Sequence, residues 1–382
     1  MINKKPFKKL SSALSLVVFT AVLTLFTVVN AYAITLNLAA APLDEAKGFV
    51  TPVGVTTDGT DVFVADYGAN AIFKITTSTF NVTQLISIQK PIAIAYYNTK
   101  LYVIAEGVGG KVYNASNGTF TGVTFATDVV KPSDMVISPS GTIYVADISV
   151  NMVKTYNAND GTAISSFGGA FPINNTPATE YGNGKFYLIS GLAYDTTTNR
   201  LIVSDSGNTS PYIQVGSRYS YKTRTWTKSA NHYGKPKGKL QIYDTNTSSW
   251  VRQAITHGTQ SSYGQLINIY GITADNNYIY VVDGINKRIM VISNVANDAN
   301  APLWSTRTAQ DKQELKINEV AVSDATNTSS DPNPSRFSSV QIDTVSLGAL
   351  SSEFILFKDV VKVGSYLVVT DTTGRVFFFT IS

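Results

Sequence analysis

The feature that most restricts how this chain can fold is a strand–turn–strand unit that returns along its length. The clearest copy, Gly141–Tyr156, reads GTIYVADISVNMVKTY. A run of β-branched and aromatic residues ends at Asp147, a polar turn containing Asn151 follows, and an alternating strand completes the unit. Val62–Ile75 (VFVADYGANAIFKI), Leu201–Asn208 (LIVSDSGN), Tyr278–Ile292 (YIYVVDGINKRIMVI) and Tyr366–Ile381 (YLVVTDTTGRVFFFTI) repeat it. Asp66 and Asp147 stand 81 residues apart, two periods of about 40. Between them Pro91–Tyr113 carries LYVIA, with Ala105 in the aspartate position and Glu106 next.

Each unit opens with a further short strand. These begin near Pro52, Pro91, Pro132, Ser190, Tyr270 and Lys358, and proline is tolerated at a strand head because no ladder donor is needed there. A Gly- or Asn-bearing turn leads into the apolar strand, and a fourth strand follows Asn117-Gly118, Asp160-Gly161 and Thr247. Four strands every 40 residues or so is the pattern of a β-propeller blade. The second strand is apolar on both faces, as a strand packed between two neighbouring sheets must be.

The strand head, the apolar-Tyr-Val-Ala-Asp run and the Asn a few residues on resemble the NHL-repeat family, over most of Gly48–Ser382. The match is strongest at Asp66, Asp147, Asp205 and Asp283, weaker at Ala105, and at Asp371 the Asn slot holds Gly374. The resemblance implies an all-β propeller; six units align, giving six blades, and Val320–Asp324, ending 41 residues after Asp283, offers a seventh as the alternative. The resemblance also implies a binding or structural module. Some propellers similar to it, the lactonases and strictosidine-synthase-like proteins, hold Ca²⁺ or Zn²⁺ and catalyse hydrolysis or lysis.

Several expectations about organisation follow. The last unit lacks a fourth strand, while Ile34–Leu38 is an alternating strand without a unit, so pairing the two termini would close the ring and hide an edge. The same strand given to a neighbouring molecule would polymerise the protein. Residues 34–382 are read as one propeller domain with insertions at about 206–238 and 294–352. Residues 1–33 read as a secretory signal: Lys4, Lys5, Lys8 and Lys9 precede an apolar run, and Ala31-Tyr32-Ala33 supplies a cleavage site. The mature chain is then expected outside the cell or at its surface, with no membrane span.

Charge and composition narrow the function. Of 30 Lys and Arg residues, the signal holds four, leaving 26 against 26 Asp and Glu, so no global field favours a polyanion such as nucleic acid. The chain has no Cys, which excludes disulfides, thiolate metal sites and Cys nucleophiles, and only His232 and His257. The repeated Asp66/Asn70, Asp147/Asn151, Asp205/Asn208, Asp283/Asn286 and Asp371 are read as blade-turn residues serving the backbone, because a feature present in nearly every unit answers to the fold. Glu106, Asp134 and Asp359 fall outside that pattern and are the better candidates for an axial metal. No catalytic set, metal site or cofactor is assigned, and the reading leans away from an enzyme.

The sharpest departure is Ser206–Tyr243, with seven Lys and Arg and no acid. Arg218, Tyr219, Tyr221, Lys222, Arg224, Trp226, Lys228 and Tyr233 interleave cations with aromatics, a composition suited to an acidic protein surface, a second copy of the chain or an acidic glycan. The overall expectation is a secreted, non-catalytic propeller acting as a binding or structural module, with self-association into a filament or surface layer. A metal-dependent lactonase-like hydrolase or a glycan-binding accessory protein are the alternatives.

Overall fold

The computed structural model describes residues 36–170, 184–206, 217–220, 225–228, 239–255, 269–283, 288–293, 340–342 and 357–381. The signal segment, His232, His257 and Val320–Asp324 lie outside them. Apart from one short 3-10 helix, Glu45–Lys47, the regular elements are strands.

In chain order the strands are β1 (Leu36–Leu38), β2 (Pro52–Thr57), β3 (Asp61–Asp66), β4 (Ala71–Thr76) and β5 (Asn81–Ser87). Next come β6 (Pro91–Tyr97), β7 (Lys100–Ala105), β8 (Gly109–Asn114) and β9 (Phe120–Phe125). Then follow β10 (Pro132–Ile137), β11 (Thr142–Asp147), β12 (Met152–Asn157) and β13 (Ala163–Gly168). After these are β14 (Ile189–Asp195), β15 (Arg200–Asp205), β16 (Ser217–Ser220), β17 (Thr225–Lys228), β18 (Lys239–Asp244) and β19 (Ser249–Ile255). The last are β20 (Ile269–Ala274), β21 (Tyr278–Asp283), β22 (Arg288–Ser293), β23 (Val340–Ile342), β24 (Phe357–Val363), β25 (Tyr366–Asp371) and β26 (Arg375–Ile381).

The described strands form antiparallel four-stranded sheets in the arrangement of a β-propeller. In order these are β2–β5, β6–β9, β10–β13, then β14-β15-β18-β19, then β20–β23, then β24-β25-β26-β1. β16 and β17 pair separately as a hairpin. β1 lies on β26 with Leu36 opposite Ile381 and Leu38 opposite Phe379. Val340–Ile342 falls within 294–352, the range expected to be an insertion, yet it is the fourth strand of the fifth sheet. It was not legible because a strand of three residues is too short to show a period, and 46 residues, 294–339, separate it from the end of β22.

The continuous hydrophobicity of the second strands has a direct cause. Alternate residues face opposite neighbours. Val62 and Val64 pack with Val368 and Phe378 of the sixth sheet, whereas Phe63 and Ala65 pack with Leu101 and Val103 of the second. Tyr102 and Ile104 then meet Ile143 and Val145 of the third. Every junction between consecutive sheets holds such a cluster, and so does the junction between sixth and first. With an aliphatic side chain worth about 1.5–3 kcal/mol on burial, these interfaces carry most of the stability of a chain without disulfides.

First strands lie closest together: β2 on β6, β6 on β10, β10 on β14, β14 on β20, β20 on β24, and β24 on β2. They therefore form the axial edge of the arrangement.

Candidate functional site

The corner aspartates act locally. Asp66 accepts the N–H groups of Val50 and Thr51 (both 2.8 Å) and of Ala69 (2.9 Å). Asp205 accepts those of Tyr187 and Leu188 (2.9 and 2.8 Å). Asp147 takes longer bonds from Val130 and Lys131 (3.4 and 3.3 Å), with Ser149 and Lys154 supplying the remainder. In all three the donors are the two residues before the first strand of the same sheet, so the carboxylate ties the end of strand two to the head of strand one. Burial alone would raise Asp147, but the bonds from Ser149 and Lys154 outweigh it and hold the carboxyl below its usual range. Asp371 instead accepts from Thr373 and pairs with the Arg375 guanidinium at 2.8 Å.

The asparagines act between sheets. Asn70 and Asn151 hold left-handed backbone (φ 55° and 53°), and their Oδ1 atoms accept the N–H of Lys90 and of Ile189, each at or beside the head of the next sheet's first strand. Gly374 has φ 95°, which explains why Gly can replace Asn in that slot. Asp283 ends β21, opposite Ile269 and Arg288. Asn208 and Asn286 lie outside the described residues.

All six first strands share a register shift just past the residue opposite the corner position. Such β-bulges re-aim side chains and recur near functional sites. The bulge places Val53, Ile92, Ser133, Ser190, Tyr270 and Lys358 at equivalent axial positions, each partly exposed. The residue that follows is Gly54, Ala93, Asp134, Gly191, Gly271 or Asp359. The glycines are steric necessities: a Cβ at Gly54 would lie 3.0 Å from the Ile92 carbonyl oxygen, and one at Gly191 would lie 2.5 Å from that of Tyr270.

The two aspartates bridge where glycines merely make room. Asp134 Oδ2 accepts the Leu192 N–H at 2.6 Å and Oδ1 its neighbour Met135 at 2.7 Å. Asp359 Oδ2 accepts the Val55 N–H at 2.9 Å and Oδ1 that of Val360 at 2.8 Å. Each carboxylate thus clasps the first strand of the next sheet, third to fourth and sixth to first. Burial raises both carboxyls, Asp359 to about 7, and the charge of Asp359 raises Asp134 further. Lys358 is drawn down by burial against the pull of both carboxylates, and its Nζ lies 4.6 Å over the Tyr270 ring. Water still reaches Lys358 and Asp134, as it does along a wall rather than in a core.

Glu106 is far from this environment. It is exposed, accepts the Tyr67 hydroxyl (2.7 Å) and pairs with Lys90 (2.8 Å). Of the residues singled out in the sequence, the fold therefore gives Asp134 and Asp359 a common axial setting and leaves Glu106 outside it. Lys358 was missed. Aligning the six first strands would have found it, since Lys-Asp and Ser-Asp stand where other units carry an uncharged residue before Gly or Ala. Among the described residues no cluster of three or more His, Asp or Glu is placed to hold a metal ion.

A second candidate surface lies at one end of the sheets. Exposed Val50 and Val130 precede first strands, and exposed Val108 and Val150 sit in second-to-third-strand turns. In an antiparallel meander those positions share an end. The β16–β17 hairpin lies within the second-to-third connection of the fourth sheet, so it leaves from that same end. Tyr219 pairs opposite Trp226, Arg218 opposite Thr227 and Lys228 opposite Ser217. Tyr221, Lys222, Arg224 and Tyr233 lie outside the described residues. No helix among the described residues is long and apolar enough to cross a membrane.

No family model matches the chain, and no curated protein matches it. Among solved structures, a chain of a nidogen/laminin complex is similar at 14% identity, covering 63% of this chain and 75% of that one, with a TM-score of 0.42. Hydrazine synthase of Kuenenia stuttgartiensis is similar at 13% identity over 69% of this chain and 81% of that one, also with a TM-score of 0.42. Likenesses this distant say nothing of ligand or activity, and the propeller arrangement rests on the sheets themselves.

Proposed function

We propose that this is a secreted, NHL-like propeller of six blades, closed by β1 on β26, that works outside the cytoplasm as a non-catalytic binding or structural module. The six sheets, the sixth-to-first apolar junction and the β1–β26 register support the ring. The basic flank, apolar run and Ala31-Tyr32-Ala33 motif support export.

One observation carries the functional reading: four exposed valines gather at the end from which the basic, aromatic-rich hairpin leaves. Apolar contact area beside cations and aromatics is what a protein-contact patch offers. The partner is an acidic protein surface or a second copy of this chain: outside Ser206–Tyr243 the mature chain holds 19 Lys and Arg against 26 Asp and Glu, a net −7 that balances the +7 of the basic segment. A filament or surface layer built from repeated copies follows from the second case. Size-exclusion chromatography with light scattering tests it. The wild type should form assemblies that grow with concentration, and Val50→Ser with Val130→Ser should reduce them to monomers. A strictly monomeric wild type overturns the self-association.

A lactonase-like hydrolase is favoured only by the axial Asp134 and Asp359. Each Oδ2 already accepts a backbone N–H of the next sheet, so a metal there would have to share the oxygens that hold two sheet junctions.

A further inference from the structure

Among the described residues, three Asn-x-Ser/Thr sequences carry an exposed asparagine, at Asn81, Asn117 and Asn246. All three fall where the third strand of a sheet passes into its fourth, in the first, second and fourth sheets. First strands form the axial edge, so fourth strands lie outermost. In an antiparallel meander the third-to-fourth turns stand at the end opposite the second-to-third turns. These asparagines therefore share an outer rim, at the far end from Val50, Val130 and the β16–β17 hairpin.

The second sheet holds the best-formed of the three. Between β8 and β9, Asn117-Gly118-Thr119 closes a turn in which Thr119 donates its N–H (3.0 Å) and its hydroxyl (2.7 Å) to Asn117 Oδ1. The carboxamide is thus held by its oxygen, and its Nδ2 donates to nothing among the described residues. Gly118 has φ 70°, and a Cβ there would strike the Leu85 carbonyl of the first sheet, so the turn is seated while Asn117 stays outside. The overlapping Asn114-Ala115-Ser116 is the opposite case. Asn114 is half-buried and its Nδ2 is spent on Thr119 Oγ1 (2.8 Å). The third sheet supplies a comparison. Asp160-Gly161-Thr162 repeats the turn, with the same two bonds onto the Asp160 carboxylate (2.9 and 2.7 Å) and Gly161 at φ 78°. A carboxylate has no nitrogen to modify.

We propose that Asn117 is a site of N-linked glycosylation, an inference that rests on the chain being exported. The donor is a saccharide linked through phosphate to a polyprenyl lipid. The sugar C1–O bond to phosphate breaks and the Nδ2–C1 bond forms. The lipid phosphate leaves, and one Nδ2 proton passes to a base of the transferase. A bulky hydrophilic chain on this rim leaves the valine-bearing end bare for partners.

Peptide mass spectrometry of the protein isolated from the cells that make it tests the site. A chain beginning at Ile34 should carry a saccharide mass on Asn117 and none on Asn114. Thr119→Ala should lose that mass and Thr119→Ser should keep it. Asp160→Asn, which completes the Asn-x-Thr signal in the matching turn, should gain a second saccharide at position 160. A chain beginning at Ile34 with Asn117 bare overturns the site and leaves export standing, whereas a bare chain still beginning at Met1 sinks both. Modification of Asn114 in place of Asn117, a saccharide that persists in Thr119→Ala, or no gain in Asp160→Asn would each overturn it as well.

Discussion

At the scale of single residues, what matters is where each polar atom spends its hydrogen bonds. Asp66 satisfies three backbone donors from inside the sheet and is fully buried. Removing it orphans them, so Asp66→Ala should cost about 3 kcal/mol, measured as a lowered denaturant midpoint at unchanged slope. Asn70 does two jobs, a left-handed backbone and a bond to Lys90. Asn70→Gly keeps the first and Asn70→Ala keeps neither, so the alanine variant should be less stable by about 1 kcal/mol. The buried carboxyls set a pH dependence. Asp359 has its pKa raised to about 7 in the folded chain, so between its unfolded value and that point the folded state binds the extra proton. Stability should then be highest below the unfolded value and fall as pH rises toward about 7. Melting scans should show a decline of a few degrees over that window, flattened in Asp359→Asn. These roles were partly legible. A corner residue repeated in nearly every unit announces a backbone task. Asp134 and Asp359 stood out as exceptions, and aligning the six first strands would have singled out Lys358 as well, but that its side chain faces the axis is decided by the bulge, a property of paired strands.

At the scale of strands, the alternation along β3, β7, β11, β15, β21 and β25 divides each between two neighbours, which is why their apolar runs read so plainly. Register at the axial edge is set instead by what fits between first strands. Gly271 shows the constraint: a Cβ there would fall on the Asp359 carboxylate and backbone. Gly271→Ala should therefore push β20 from β24 and lower the melting temperature more than an alanine at Gly59, where nothing stands within 4 Å and the only cost is the left-handed backbone (φ 94°). The glycines at these heads were visible in the sequence, but glycine also marks turns, and only the spacing between sheets separates the two uses. The short fourth strand β23 was not legible for the opposite reason. Its residues carry no signal of their own and are defined by the neighbour they pair with.

At the scale of the whole molecule, stability lies in the apolar junctions between neighbouring sheets, which leaves the ends of the sheets free for contacts. Everything depends on the sixth sheet being completed by the chain's own first strand. The hydrogen bond from the Ala39 N–H to the Phe378 carbonyl fixes that pair as hydrogen-bonded, so Leu36 and Ile381 form a non-hydrogen-bonded pair, the close spacing a disulfide needs. The chain has no cysteine to confuse the result. Leu36→Cys with Ile381→Cys, oxidised at low concentration and mapped by peptide mass spectrometry, tests this most directly. A cross-link within a single monomer is expected. Covalent dimers and ladders, with no intramolecular link, would show the strand completing a neighbour's sheet and would contradict it.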